Sequence, residues 1–265
     1  MDHDEPIDRR STSSDPTAPR PGDRAPIHLR PTATLAERVL LPGDPGRALA
    51  LAQLLLTEPR MFNHHRGLWG YTGAAADGQP LTIQSTGMGG PSAAIVLHEL
   101  ISLGVRSAIR VGTCGALNGA LGLGDLVLAR ESIPADGTSA ALGAGDIARA
   151  DPALTDAVLA GLERRTQRPG GSGGRAYHDG RIVSTDLFYE PDTRRGGRWS
   201  AVGAIAVEME AAALFTVGAS AGVPVACLLV VTDTFDVEGA RTRIDDDTLV
   251  SAVEAMGSAA VAALA

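Results

Sequence analysis

The chain has 265 residues, a formal net charge of −8, 44% hydrophobic residues and only 3% aromatic ones. That length suits one large α/β domain whose core is built from Ala, Val, Leu and Ile rather than from rings. The acidic balance argues against a nucleic-acid surface, and no apolar run reaches the roughly 18 residues of a membrane helix.

In chain order, residues 1–24 are charged, rich in Pro and Ser, and hold almost nothing to bury. They read as a disordered tail that lacks the apolar stretch of a signal peptide, with the domain expected over 25–265. Apolar runs then alternate with helical segments: RVLLPG and a helix over 45–56, LTIQST and a helix over 91–104, SAIRVGT, DLVLARES and a helix near 152–165. RIVST follows, then AIAVEM with a helix over 209–221, PVACLLVVTD, and a last helix from about 248. GTSAALGAGDIARAD and RPGGSGGRA read as loops. The order predicts a single α/β domain with a largely parallel sheet flanked by helices. Cys114 and Cys227 stand far apart in strand-like contexts. Neither a disulfide framework nor a metal site is therefore expected, and a reducing cytoplasm is the expected compartment.

Ligands of such sheets bind at the carboxyl ends of the strands. The first run ends in Gly43-Asp44-Pro45-Gly46-Arg47, the second in GMGGPS opening a helix, and the third carries Arg110 and Thr113 in IRVGTCG. The first of these can be an ordinary strand-to-helix turn with a solvated arginine. Together, glycine backbone, hydroxyls and arginines at three strand ends suit an oxyanion such as phosphate. No Gly-Lys-Ser/Thr phosphate loop and no dinucleotide fingerprint occurs. Further on, Glu208 and Glu210 of AVEMEAAALF either satisfy helix N-terminal amides or accept hydrogen bonds from a ribose diol. Asp233, after the apolar run CLLVV, is either a turn residue or an acid in a partly desolvated pocket.

GDPGR, FNHHRGLWGYTG, GMGGPSAAI, IRVGTCGAL, STDLFYEPD, VEMEAAALF and VVTDT stand in the order found in bacterial nucleoside phosphorylases of the hexameric purine and uridine type. The chain resembles that family from about residue 28 to its C-terminus. The resemblance implies a single α/β domain with a central mixed, largely parallel sheet, and a homo-oligomer, a hexamer built as a trimer of dimers, whose sites are completed by a neighbouring subunit. It implies a phosphate site of Gly43, Arg47, Arg110 and Thr113, with Arg66 reaching in from the neighbour. Glu210 would bind the ribose 2′- and 3′-hydroxyls, with Met209 under the sugar and Glu208 nearby. His28 would serve the neighbour's ribose 5′-hydroxyl, and Phe188 would line the base pocket.

The reaction implied is phosphorolysis of a nucleoside to free base and pentose 1-phosphate, with inorganic phosphate as co-substrate and no cofactor or metal. Arginines position the nucleophile, and an acid near N7 assists departure of a purine. Asp233 is the candidate acid, with Arg241 or Arg243 assisting it. To donate, it needs a raised pKa or protonation coupled to substrate binding. Uridine members of the family lack this aspartate and read uracil with a glutamine–arginine pair, which DLFYEPDTRRGG does not clearly carry, so a purine is favoured over uridine. Thr113 and Thr232 replace serines common in purine members, and Thr113 is closer to the uridine form. A phosphate-independent nucleosidase would leave the arginines without an anion, and a silent nucleoside-binding protein would have no use for both Asp233 and Arg47.

Overall fold

The computed structural model describes residues 26–166, 176–192, 194–236 and 240–265. The tail expected over 1–24, and all of RPGGSGGRA but its last residue, lie outside the described residues. The elements run β1 (Arg38–Leu41), α1 (Pro45–Leu55), β2 (Thr57–Asn63), β3 (Gly70–Ala74), β4 (Pro80–Gln84), α2 (Gly90–Ser102), β5 (Ser107–Ala116), β6 (Leu126–Ala135) and α3 (Gly137–Ala141). They continue with β7 (Ala148–Arg149), α4 (Pro152–Thr166), β8 (Tyr177–Thr185), α5 (Arg195–Ala201), β9 (Ala204–Glu208), α6 (Ala211–Ala221), β10 (Val225–Phe235), β11 (Arg241–Arg243) and α7 (Asp246–Ala263).

Local chemistry sets the helix ends. The Asp44 carboxylate accepts from the Arg47 backbone N–H at 2.7 Å and Pro45 opens the first turn of α1, so GDPGR is indeed a capped strand-to-helix turn. Asp245 caps α7 in the same way, with Asp246 and Asp247 in its first turn against the positive end of the helix dipole. Gly222, at φ 67°, ends α6 in the left-handed conformation that a side chain disfavours.

All strands among the described residues join one sheet, in the order β11-β10-β6-β8-β9-β5-β1-β4-β3-β2, with β7 on β6. A further parallel pairing of β10 with β5 closes β5, β10, β6, β8 and β9 into a ring. The pairings of β1 with β4 and β5, of β10 with β5, and of β8 with β6 and β9 are parallel. The hairpin β2–β3–β4, the outer strands β7 and β11, and the junctions β5–β9 and β10–β6 are antiparallel, so the sheet is mixed.

Strand alternation divides the core. Val39, Leu41, Cys227, Leu229 and Val231 face α2 and α6, whose Leu97, Leu100, Leu214 and Phe215 share their cluster. Leu40, Ile109, Leu228 and Val230 face the other way, toward Leu51 of α1, Leu162 of α4 and Met256 of α7. With both faces covered, the strands read as continuous apolar runs. The stretch GTSAALGAGDIARAD, expected as loop, contains α3 and β7, and β2, β3, β11 and α5 were not expected from the sequence. No helix among the described residues is long and apolar enough to cross a membrane.

Candidate functional site

Side chains gather where β1, β4, β5, β8, β9 and β10 end. The loops after β1 and β4 are laced together, Thr86 N–H donating to Pro42 O at 2.8 Å and Gly87 N–H to Gly43 O at 3.0 Å. A Cβ on Gly43 would stand 3.3 Å from Gly87 O, so that close approach suits a glycine. Gly87 and Gly89 hold φ values of 74° and 87°, and their loop delivers the Gly89 N–H to Glu210 Oε1 at 2.6 Å.

Arg110 is the hub. Projecting from β5 and buried, it donates from Nε to Glu208 Oε2 at 2.9 Å and forms an ion pair through Nη2 with Glu210 Oε2 at 2.6 Å. Its Nη1 is buried with no partner among the described residues. Burial works against the charge, but Glu210 and Glu208 hold the guanidinium above the ordinary arginine value. The side chain lies over Gly112, two residues along the same face of β5, where a Cβ would come within 2.6 Å of the guanidinium carbon.

The two glutamates separate in role. Glu208, at the end of β9, accepts from Arg110, from the Glu210 and Ala211 N–H groups at the start of α6, and from the Ser184 hydroxyl on β8. Ser184 in turn meets Ser132 at 2.9 Å and accepts from Ala212 N–H. Burial pushes the Glu208 carboxyl up, Arg110 opposes this, and Glu210 adds to it. With these contacts on both oxygens, Glu208 supports Arg110 and the helix start, next to the carboxylate of Glu210. Glu210 has one hydrogen bond on Oε1 and the ion pair on Oε2, and a carboxylate has about two acceptor directions per oxygen, so each keeps one open.

Arg47 is half-buried at the start of α1, and its guanidinium has no bonded partner among the described residues. Burial lowers its pKa, Asp44 and Glu210 oppose the shift, and Arg110 reinforces it, which places all four in one electrostatic neighbourhood. Thr113 is half-buried opposite Val230, its hydroxyl likewise unpaired among the described residues, and Met209 is half-buried between the two glutamates.

A second group gathers beside Gly115, whose Cβ position lies 3.5 Å from both Val207 and Phe235. Asp233 is buried near the end of β10, where it accepts from the Thr232 hydroxyl at 2.8 Å and from Arg241 Nε at 2.7 Å. Arg243 lies 3.8 Å away and is mostly exposed, so Arg241 is the closer partner. The Arg241 guanidinium also covers the Phe188 ring at 4.8 Å, a cation–π distance. Phe188 is 54% exposed, and Tyr189 meets its edge at 5.1 Å between ring centroids.

Two further expected residues, His28 and Arg66, have no contact with the Arg110 or Asp233 groups among the described hydrogen bonds and ion pairs. His28 Nδ1 meets Glu99 Oε1 of α2 at 2.7 Å, and His28 O is 3.1 Å from His65 Nδ1. Arg66, the next residue, is exposed in a short 3-10 turn (His65–Gly67) at φ 59°. Gly112, Ser184 and Glu99 were missed in the sequence. Only the strand period beside Arg110 could have flagged Gly112, and nothing local marks the other two. A groove of about 950 Å³, lined by Arg38, Arg60, Arg106 and Leu264 among others, lies at the opposite end of β1 and β5. Among the described residues no group of three or more His, Cys, Asp or Glu could hold a metal ion.

A family model described as the phosphorylase superfamily matches residues 37–265. A DeoD-type purine nucleoside phosphorylase of Clostridium novyi (strain NT) is 38% identical over 203 residues, 76% of this chain and 83% of the relative. The protein of that name from Clostridium beijerinckii is 36% identical over 234 residues, 84% of this chain and 92% of the relative. A third, from Geobacillus kaustophilus, is 38% identical over 206 residues, covering 76% and 83%.

Proposed function

The chain belongs to the phosphorylase superfamily, and on that premise we propose that it cleaves purine nucleosides with inorganic phosphate, giving free base and pentose 1-phosphate. One observation carries the reading. Arg47, whose guanidinium has no bonded partner among the described residues, lies in the electrostatic neighbourhood of Glu210, a carboxylate with open acceptor directions, while a separate acid, Asp233, is joined through Arg241 to an exposed ring, Phe188. A phosphate, a diol and a flat base are the three chemistries that such a row of groups fits.

In the proposed reaction Arg47, Arg110 Nη1, Thr113 and the Gly43 loop orient the phosphate. Arg66 of a neighbouring subunit joins them, so the working unit is a homo-oligomer, and a hexamer is the expected form. Glu210 accepts from the 2′- and 3′-hydroxyls over Met209. A phosphate oxygen forms its bond to C1′ as the C1′–N9 bond breaks, and the electron pair leaves with the base. Asp233 gives its proton to N7, with Arg241 stabilising the carboxylate that remains. Phosphate is the co-substrate, no cofactor takes part, and the cytoplasm is the proposed compartment.

The test is a panel of adenosine, inosine, guanosine, uridine and methylthioadenosine, each with and without phosphate, with free base measured. Release of purines only when phosphate is present is the expected result. Release without phosphate makes the protein a nucleosidase, preference for uridine moves it to the pyrimidine branch, and binding without turnover makes it a carrier.

A further inference from the structure

The amino-terminal arm is fastened to α2 by one carboxylate. Glu99 Oε1 accepts from Ile27 N–H at 3.0 Å, and Oε2 accepts from His28 N–H at 2.9 Å and Leu29 N–H at 2.7 Å. The same carboxylate meets the His28 ring at Nδ1, 2.7 Å away. Three consecutive amides would alone anchor the arm. The fourth contact acts on the imidazole instead.

Burial works against the charge on Glu99, but the hydrogen bonds from Ile27, His28 and Leu29 outweigh it and hold the group below the ordinary carboxylate range. Glu99 is therefore ionised and can only accept. Its partner Nδ1 must carry a hydrogen, and in the neutral ring this leaves the lone pair on Nε2, which has no partner among the described residues. His28 O is at the same time held from His65 Nδ1, so the backbone as well as the ring is set.

We infer that Glu99 is a positioning residue that holds His28 in its Nδ1–H tautomer, so that Nε2 accepts the hydrogen bond of the ribose 5′-hydroxyl in the neighbouring subunit's site. This rests on the proposed phosphorolysis and on His28 serving a neighbour. Glu99 touches no substrate, and its effect passes through one ring.

The measurement is the ratio of kcat/KM for inosine to that for 5′-deoxyinosine, in wild type, Glu99→Gln, His28→Ala and the double variant. Losing a charge-assisted contact behind one hydrogen bond should lower the ratio about tenfold in Glu99→Gln. His28→Ala should lower it at least as far, and the double variant no further than His28→Ala. A second readout needs no turnover. Nitrogen NMR of histidine-labelled protein, with His28 assigned by its loss in His28→Ala, should report the Nδ1–H tautomer in wild type and its depletion in Glu99→Gln. Equal losses on both substrates in Glu99→Gln would reduce Glu99 to a structural tether and overturn the inference. So would an unchanged ratio in His28→Ala, or an unchanged tautomer in Glu99→Gln. Base release without phosphate would instead strike the proposed reaction, and the ratio and the spectra would still decide the role of Glu99.

Discussion

Glu208 and Glu210 stand two residues apart with the same side chain, yet the fold sends them to different work. From the sequence, both a helix-start carboxylate and a diol acceptor fit VEMEA. Glu208 takes the first role, bonded to the Glu210 and Ala211 amides, and Glu210 turns to the Gly89 loop and Arg110 with acceptor capacity to spare. A motif could announce that carboxylates matter here, but not which one is saturated, because the saturating groups come from β5 and β8. Asp233 was legible as an acid after an apolar run, whereas the choice of Arg241 over Arg243 depended on how β11 folds back on β10. For this acid, Asp233→Asn should lower kcat for natural purine nucleosides by roughly 10²–10⁴-fold, the usual worth of a general acid. A 7-methylated purine nucleoside, whose base already carries the positive charge, should be nearly insensitive. Steady-state kinetics on the two substrates checks this, and equal losses would make Asp233 a shaper of the pocket only.

Among the elements, β5 carries the most consequence for the site. Its apolar run was plain in SAIRVGT, as were those of β1 and β10, which are buried at nearly every position, and those of β6 and β8, which hold buried runs at Leu126–Ala129 and Ile182–Thr185. The hairpin strand β2 was not legible, since five of its seven residues are exposed, and β11 is exposed throughout. Such strands are held by backbone pairing to neighbours rather than by a pattern of their own. Within β5, Gly112 is the bed on which the Arg110 guanidinium lies. Gly112→Ala places a methyl within 2.6 Å of that guanidinium and should displace it from both glutamates. Misplacement of a positioning group by about 1 Å costs on the order of 10²-fold in rate, so kcat/KM for phosphate should fall by about that factor. Kinetics at varied phosphate checks it, and unchanged phosphate dependence would remove Arg110 from the phosphate site.

At the scale of the whole molecule, His28 and Arg66 are brought near each other by the His28–His65 contact, and the resemblance assigns both to a site shared between subunits. The sharing could not be read from residue order, because the resemblance alone suggested it. If Arg66 serves a neighbour and Arg47 its own chain, subunits carrying Arg66→Ala and subunits carrying Arg47→Ala should complement each other. Mixed oligomers, formed by dissociation and reassociation, should recover activity that neither parent has. No recovery in hybrids verified by mass would place Arg66 and Arg47 in the same chain's site. The ring of β5, β10, β6, β8 and β9 bears on how the protein is made. Because β10 supplies the last seam, against both β5 and β6, a chain emerging from the ribosome presents two unsatisfied strand edges until residue 235 is free. Vectorial synthesis therefore cannot finish this fold in halves, and the nascent chain must be kept from pairing with others until nearly its whole length has been translated.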